Sequence, residues 1–303
     1  MSTLRAHKAA VTCVGFHSSG LWLFSGDDKG WVVWWDLLSK RPKAIWQAHD
    51  LALLAVKYLG GTDMEGIVTH GRDNKLRVWR LDQDQLYNTQ VLTESALKES
   101  YPAPWLMHSQ DVNALNFCRV AVWNSPAIVA VPATTSSEKV DVYTLKPFGR
   151  PVKGLAPPSE GEFDAETRGN GFGTVMAIDL GDHELAIGFE SGHIAHYDSD
   201  SLVFFEKVHK QPVLDVKLRN GTIWTSGADR QLARIQNGQI KVHKLETRGI
   251  NSIAINDEAT SLVTAGWDGM VRGFSAHDFS ELWSFRGGRQ DGVTCPLAGK
   301  MDE

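Results

Sequence analysis

Three observations predict an all-β propeller for this 303-residue chain. A histidine recurs at a fixed offset before alternating apolar runs, a hydroxyl–acid–aromatic signature follows several of those runs, and tryptophan is used 11 times. Repeats of this length build blades that cannot bury their apolar faces alone and so stack on one another. The histidine pairs are His7 with Val11, His49 with Leu53, His108 with Val112, and His209 with Val213. Each apolar partner opens a run of period two, the mark of a strand with distinct faces. The runs are Val11–Phe16, Leu53–Val56, Val112–Phe117 and Val213–Val216.

A second strand then ends in a small or hydroxyl residue, followed by a tight polar turn and a third strand. In the second unit these are Ile67–Thr69, His70–Asn74 and Lys75–Trp79; in the sixth, Leu262–Thr264, Ala265–Gly269 and Met270–Phe274. Thr69 and Asp73, and likewise Thr264 and Asp268, stand four residues apart. The fifth unit keeps that register from Thr225 through Asp229 to Ile235. The first runs from Ser25 to Trp35 with its acid early, at Asp27 or Asp28. In the fourth, Gly188, Gly192 and Asp198 fall where Gly26, Gly30 and Asp36 stand in the first. The third is weakest, with strands at Ala127–Val131 and Lys139–Tyr143 around a Thr/Ser-rich turn. Fourth strands are expected at Lys43–Trp46, Trp105–Met107, Leu202–Phe205 and Glu281–Phe285, with Trp46, Trp105 and Trp283 as their core residues.

These residues resemble the WD-repeat family, in which His, Ser/Thr, Asp and Trp meet in a hydrogen-bonded network inside each blade. The fold class implied is a WD40 β-propeller with six readable blades and a truncated or incomplete seventh. His49, Thr69, Asp73 and Trp79 match the pattern fully. His7, Ser25 and Trp35 match apart from the displaced acid, and His209, Thr225 and Asp229 lack only the aromatic. Thr264 and Asp268 lack the histidine, Glu246 standing in its place. A buried imidazole joined to a carboxylate ties adjacent strands and satisfies polar groups that would otherwise be costly to bury.

One domain over 1–303 is expected, with repeats at about 7–47, 49–92, 108–152, 171–207, 209–243 and 246–286 and a partial seventh at 289–303. Two acidic insertions interrupt it. The segment 81–104 lies between the third and fourth strands of blade two, and 152–173 lies between blades three and four. Each is a candidate partner loop on a rigid scaffold.

Composition narrows the function. The formal net charge of -5 argues against a broad duplex-binding surface, so direct nucleic-acid binding is not expected. Cys13, Cys118 and Cys295 are an odd, scattered set that fits reduced thiols, two of them in the core, and suggests no zinc site. With no secretory signal and no membrane-length apolar run, an intracellular, soluble protein is expected, with no membrane partner. No phosphate-cradling loop or nucleophile elbow is visible, and the His–Asp pairs recur blade after blade where a catalytic pair occurs once. No enzymatic activity, cofactor or metal is expected. Arg72 and Trp267, in corresponding turns between second and third strands, are the candidate partner contacts, because rim aromatics and arginines make binding hot spots.

Further stretches resemble the fungal ASTRA-associated WD-repeat family, whose animal relatives are called G-protein beta-subunit-like. They are Ser25–Asp27, Trp105–Ser109, Asp111–Cys118, Val131–Pro132, Ala186–Gly192 and Thr264–Gly269. The resemblance implies a nuclear scaffold, with the cytoplasm as a second location. Its implied partners are ASTRA subunits and kinase-maturation chaperones, in chromatin remodelling and the maturation of phosphatidylinositol-3-kinase-related kinases. The alternative is another WD40 adaptor, such as a ubiquitin-ligase substrate receptor or a signalling scaffold.

Overall fold

β-Branched and aromatic runs punctuated by Gly, Asn and Asp turns make the chain a succession of antiparallel hairpins. The computed structural model describes residues 4–61, 65–81, 103–157, 171–199, 201–246 and 249–286. All described strands fall into six four-stranded antiparallel sheets, each made from four consecutive strands. These are six blades of the β-propeller class, distributed over two compact units, Met1–Leu115 and Asn116–Glu303.

In the first unit, blade one comprises β1 (Val11–Phe16), β2 (Trp22–Asp27), β3 (Trp31–Asp36) and β4 (Arg41–Gln47). Blade two comprises β5 (Leu53–Leu59), β6 (Gly66–Gly71), β7 (Lys75–Arg80) and β8 (Trp105–Asp111). In the second unit, blade three is β9 (Ala121–Asn124), β10 (Ala127–Ala133), β11 (Ser136–Leu145) and β12 (Phe148–Leu155). Blade four is β13 (Val175–Leu180), β14 (Glu184–Phe189), β15 (His193–Asp198) and β16 (Ser201–Lys207). Blade five is β17 (Val213–Arg219), β18 (Thr222–Gly227), β19 (Gln231–Gln236) and β20 (Gln239–Lys244). Blade six is β21 (Ile250–Ile255), β22 (Ser261–Gly266), β23 (Met270–Ser275) and β24 (Glu281–Arg286).

Burial follows position in the blade. Every residue of β2, β6 and β18 is buried, whereas β8, β20 and β24 are largely open. A second strand has hydrogen-bonded neighbours on both sides and packed layers on both faces, so even its Ser, Thr, His and Asp residues are buried. β4 is the buried exception among fourth strands, from Pro42 to Trp46. There the Lys43 ammonium lies 4.9 Å from the Trp34 ring and 5.1 Å from Trp22, a cation–π arrangement that keeps a buried amine in favourable contact. Cys13 and Cys118 are both buried in the core.

Three expectations need correction. Val112–Phe117 is not a strand; the first strand of blade three is β9. The segment is held instead by asparagine side chains. Ala114 N–H donates to Asn74 Oδ1 (3.3 Å), Leu115 N–H to Asn113 Oδ1 (3.0 Å) and Cys118 N–H to Asn116 Oδ1 (3.3 Å). Such local side-chain acceptors compete with a ladder. Its apolar residues do not share one face: Val112 and Ala114 are buried, whereas Leu115 is 77% and Phe117 68% exposed. His108 therefore does not open blade three but sits inside β8 opposite Val78, and the repeat placed at 108–152 begins too early. Trp105, expected in the core, is 75% exposed on the outer strand β8.

The first insertion falls between β7 and β8; the second begins too early, since β12 runs to Leu155, and ends before β13. Most of 81–104 and of 152–173, and all of 289–303, lie outside the described residues.

Candidate functional site

The histidines that precede β1, β5 and β17 each bridge an acid and a hydroxyl. His49 Nδ1 meets Asp73 Oδ1 at 2.8 Å and its Nε2 meets Thr69 Oγ1 at 2.8 Å, while the Trp79 indole N–H donates to the same hydroxyl at 2.9 Å. His209 repeats this with Asp229 (3.0 Å) and Thr225 (2.8 Å), and Ile235 packs where the indole would be. Both carboxylates lie below the ordinary range: burial raises them, but the histidine hydrogen bonds and backbone N–H donors outweigh it. With both ring nitrogens occupied, these imidazoles are struts holding the blade.

Blade one resolves the displaced acid in favour of Asp27. His7 Nδ1 meets Asp27 Oδ2 at 2.8 Å and Nε2 meets Ser25 Oγ at 2.6 Å, with Trp35 donating to Ser25 at 2.7 Å. In register, Asp27 stands opposite Val11 as Gly71 stands opposite Leu53. The acid thus reaches the imidazole from the end of β2 rather than from the turn. Its second oxygen takes the N–H groups of Lys29 and Trp31 at 3.0 Å each, which ties down the turn. Trp35→Phe, which removes the indole donor and part of a buried ring, is expected to cost roughly 2 kcal/mol or more by chemical denaturation.

The remaining blades use substitutes. In blade six, Arg272 pairs with Asp268 at 2.6 Å, and Thr264 Oγ1 donates to the Arg272 carbonyl at 3.4 Å. In blade four, Glu190 accepts from both the N–H and the hydroxyl of Thr174, at 3.1 Å each. Sequence reasoning also missed Asp215, buried in β17, whose Oδ2 accepts from Ser252 Oγ (2.8 Å) and Ile253 N–H (2.9 Å) while Lys217 reaches Oδ1 (2.6 Å). A carboxylate inside the apolar run Val213–Val216 was the available signal.

His70, beside Thr69 on β6, is fully buried, and neither ring nitrogen has a hydrogen-bond partner among the described residues. Burial, reinforced by His49 and opposed by Asp73, lowers its pKa from 6.5 to about 4. The folded state thus refuses a proton that the unfolded chain accepts, so this contribution is lost as pH falls from 6.5 toward 4. His70→Leu should therefore improve stability at pH 5 relative to pH 8 by about 2 kcal/mol against the parent. Paired urea titrations at the two pH values measure this; equal shifts at both would refute it.

Of the two candidate contacts, Arg72 lies in the first unit and Trp267 in the second. Arg72 is exposed, its backbone N–H bonded to Ala52 O at 2.9 Å. Trp267 is 52% exposed, and its backbone N–H donates to Gly249 O at 2.9 Å. A Cβ on Gly249 would meet the indole ring at 2.0 Å, so the ring rests directly on that glycine. Beside it opens a cavity of about 660 Å³ lined by Lys210, Arg230, Lys244, Leu245 and Trp267, with Asp229 at its wall.

Four-stranded blades, three of them braced by His–Asp–hydroxyl struts, define a β-propeller protein of the WD-repeat class. The sequence model of one family, ASTRA-associated protein 1, matches residues 1–290. The chain belongs to the ASTRA-associated protein 1 family. It is 33% identical over 312 residues to that protein of Verticillium alfalfae, covering 92% of this chain and 74% of the relative. It is 35% identical to the Pyricularia oryzae protein, over 77% of this chain and 52% of the relative. The Schizosaccharomyces japonicus protein is 28% identical over 92% of this chain and 87% of its own length. Among solved structures, the computationally designed Ika8 protein superposes with a TM-score of 0.60 at 15% identity, over 96% of this chain and 91% of that one. That likeness concerns the fold alone.

Proposed function

We propose that this protein is a non-catalytic scaffold subunit of an ASTRA-type assembly, acting in the nucleus, with the cytoplasm as a second location. Within that assembly it contributes to chromatin remodelling and to the maturation of phosphatidylinositol-3-kinase-related kinases. The family match along residues 1–290 carries the reading, since the matched relatives are named for association with ASTRA. The engagement of the recurrent histidines supports a non-catalytic role. In blades one, two and five both ring nitrogens are held by an acid and a hydroxyl, leaving no lone pair for a substrate.

The test is affinity purification of the tagged protein from its native cells, followed by mass spectrometry. Recovery of ASTRA subunits and kinase-maturation chaperones is expected. Recovery of a ubiquitin-ligase core or signalling partners in their place would overturn the proposal.

A further inference from the structure

The cavity beside Trp267 is not a general protein surface. Lys210, Arg230 and Lys244 bring three cations to one opening. Among the described residues, none of the three forms a salt bridge. The single carboxylate in the lining, Asp229, stays ionised but is held in the blade network and offsets only one of the three positive charges. Asp229 Oδ1 is bonded to His209 Nδ1 (3.0 Å) and to Gln231 N–H (3.1 Å), and Oδ2 accepts the backbone N–H of Lys210 (3.0 Å). The corresponding place in blade two bears the opposite charge, Asp50, whose N–H likewise bonds the network acid. The basic rim is thus a property of this blade, not of the repeat.

The apolar part is equally defined. Trp267 is seated on Gly249 and half open, with Leu245 at the wall. A rigid aromatic face held by backbone hydrogen bonds, next to unpaired cations, fits a ligand carrying an apolar group flanked by negative charge. A cavity of about 660 Å³ accommodates a few side chains. The chain's net charge of -5 opposes a long polyanion such as nucleic acid. We infer that this groove between the blade-five rim and Trp267 docks an acidic linear segment of a protein partner, with carboxylates on Lys210, Arg230 and Lys244 and an apolar side chain on Trp267. The inference rests on the scaffold reading above and adds to it the chemistry of one partner.

The experiment uses a fluorescein-labelled peptide of Glu and Gly residues around one Phe, followed by fluorescence anisotropy with the full chain. Binding should weaken as salt rises, because the charges are exposed. A Gln-for-Glu peptide should bind at least about tenfold more weakly, and the Lys210→Glu/Arg230→Glu variant should lose about as much. Trp267→Ala should also weaken binding about tenfold, with Trp267→Phe partly restoring it. Lys210→Gln/Arg230→Gln serves as a milder variant if charge reversal lowers the melting temperature. The proposal is overturned if the acidic peptide fails to bind, if the Gln peptide binds equally, or if both charge variants bind normally. It is also overturned if a single-stranded oligonucleotide binds more tightly with the same variant sensitivity. The purification above separates the two claims. ASTRA subunits recovered without peptide binding would sink the groove alone, and peptide binding without them would sink the assembly reading alone.

Discussion

His49→Ala is expected to destabilise the first unit by roughly 3–5 kcal/mol. The imidazole is 1% exposed, so its removal leaves a cavity within blade two. It also withdraws a partner from the Thr69 hydroxyl, which is fully buried, and from the Asp73 carboxylate. Asp73 keeps the N–H of Lys75 at 3.2 Å and of Asp50 at 3.3 Å, with Arg77 at 3.6 Å, so the loss is not that of a wholly bare charge. Cavity and unsatisfied polar groups act together here, which places the substitution at the severe end of single changes. Hydrogen exchange should show the amides of β6 and β7 losing protection first, with a drop in melting temperature. A loss under about 1 kcal/mol would mean that the network adds little to blade stability.

Gly192→Ala should be of similar severity, at roughly 3 kcal/mol or more. Gly192 has φ of 87°, and a Cβ there would lie 2.0 Å from His209 O and 2.8 Å from its carbonyl carbon. These are backbone atoms that cannot rotate aside. The Gly192 carbonyl also accepts the N–H groups of Val208 and His209, both at 3.0 Å, so the turn after β14 is bonded to the segment that opens blade five. Gly238→Ala is the control. Its φ is 73° but nothing lies within 4 Å of the added carbon, so only the conformational cost of about 1 kcal/mol applies. Equal melting temperatures for the two variants would show that the close approach carries no weight.

Thr69, Asp73 and Trp79 were legible in the sequence because their offsets are fixed by strand length and turn length, which the chain repeats. The identity of blade one's acid was not, since Asp27 and Asp28 differ only in register, and register is settled by pairing with β1. Val112–Phe117 has the right alternation for a strand, yet asparagine acceptors capture its backbone N–H groups first. Glu190 was invisible because its partner Thr174 lies before β13, outside the usual Ser/Thr position. Trp105 misled because apolar character alone does not tell an inner strand from an outer one. Trp267 stands out in the sequence by its place in the turn, but the cations beside it come from blade five, and no pattern within one repeat joins them.

Every described sheet is assembled from four strands in unbroken chain order. Each hairpin ladder is therefore local, and the loop-closure entropy of a blade is small and independent of chain length beyond it. During synthesis one sheet can form before the next has left the ribosome, and its glycine turn is then ready to receive the following histidine segment, as Gly30 receives His49. Damage to one strut should accordingly be felt most in its own blade, next in the adjoining one, and fade from there.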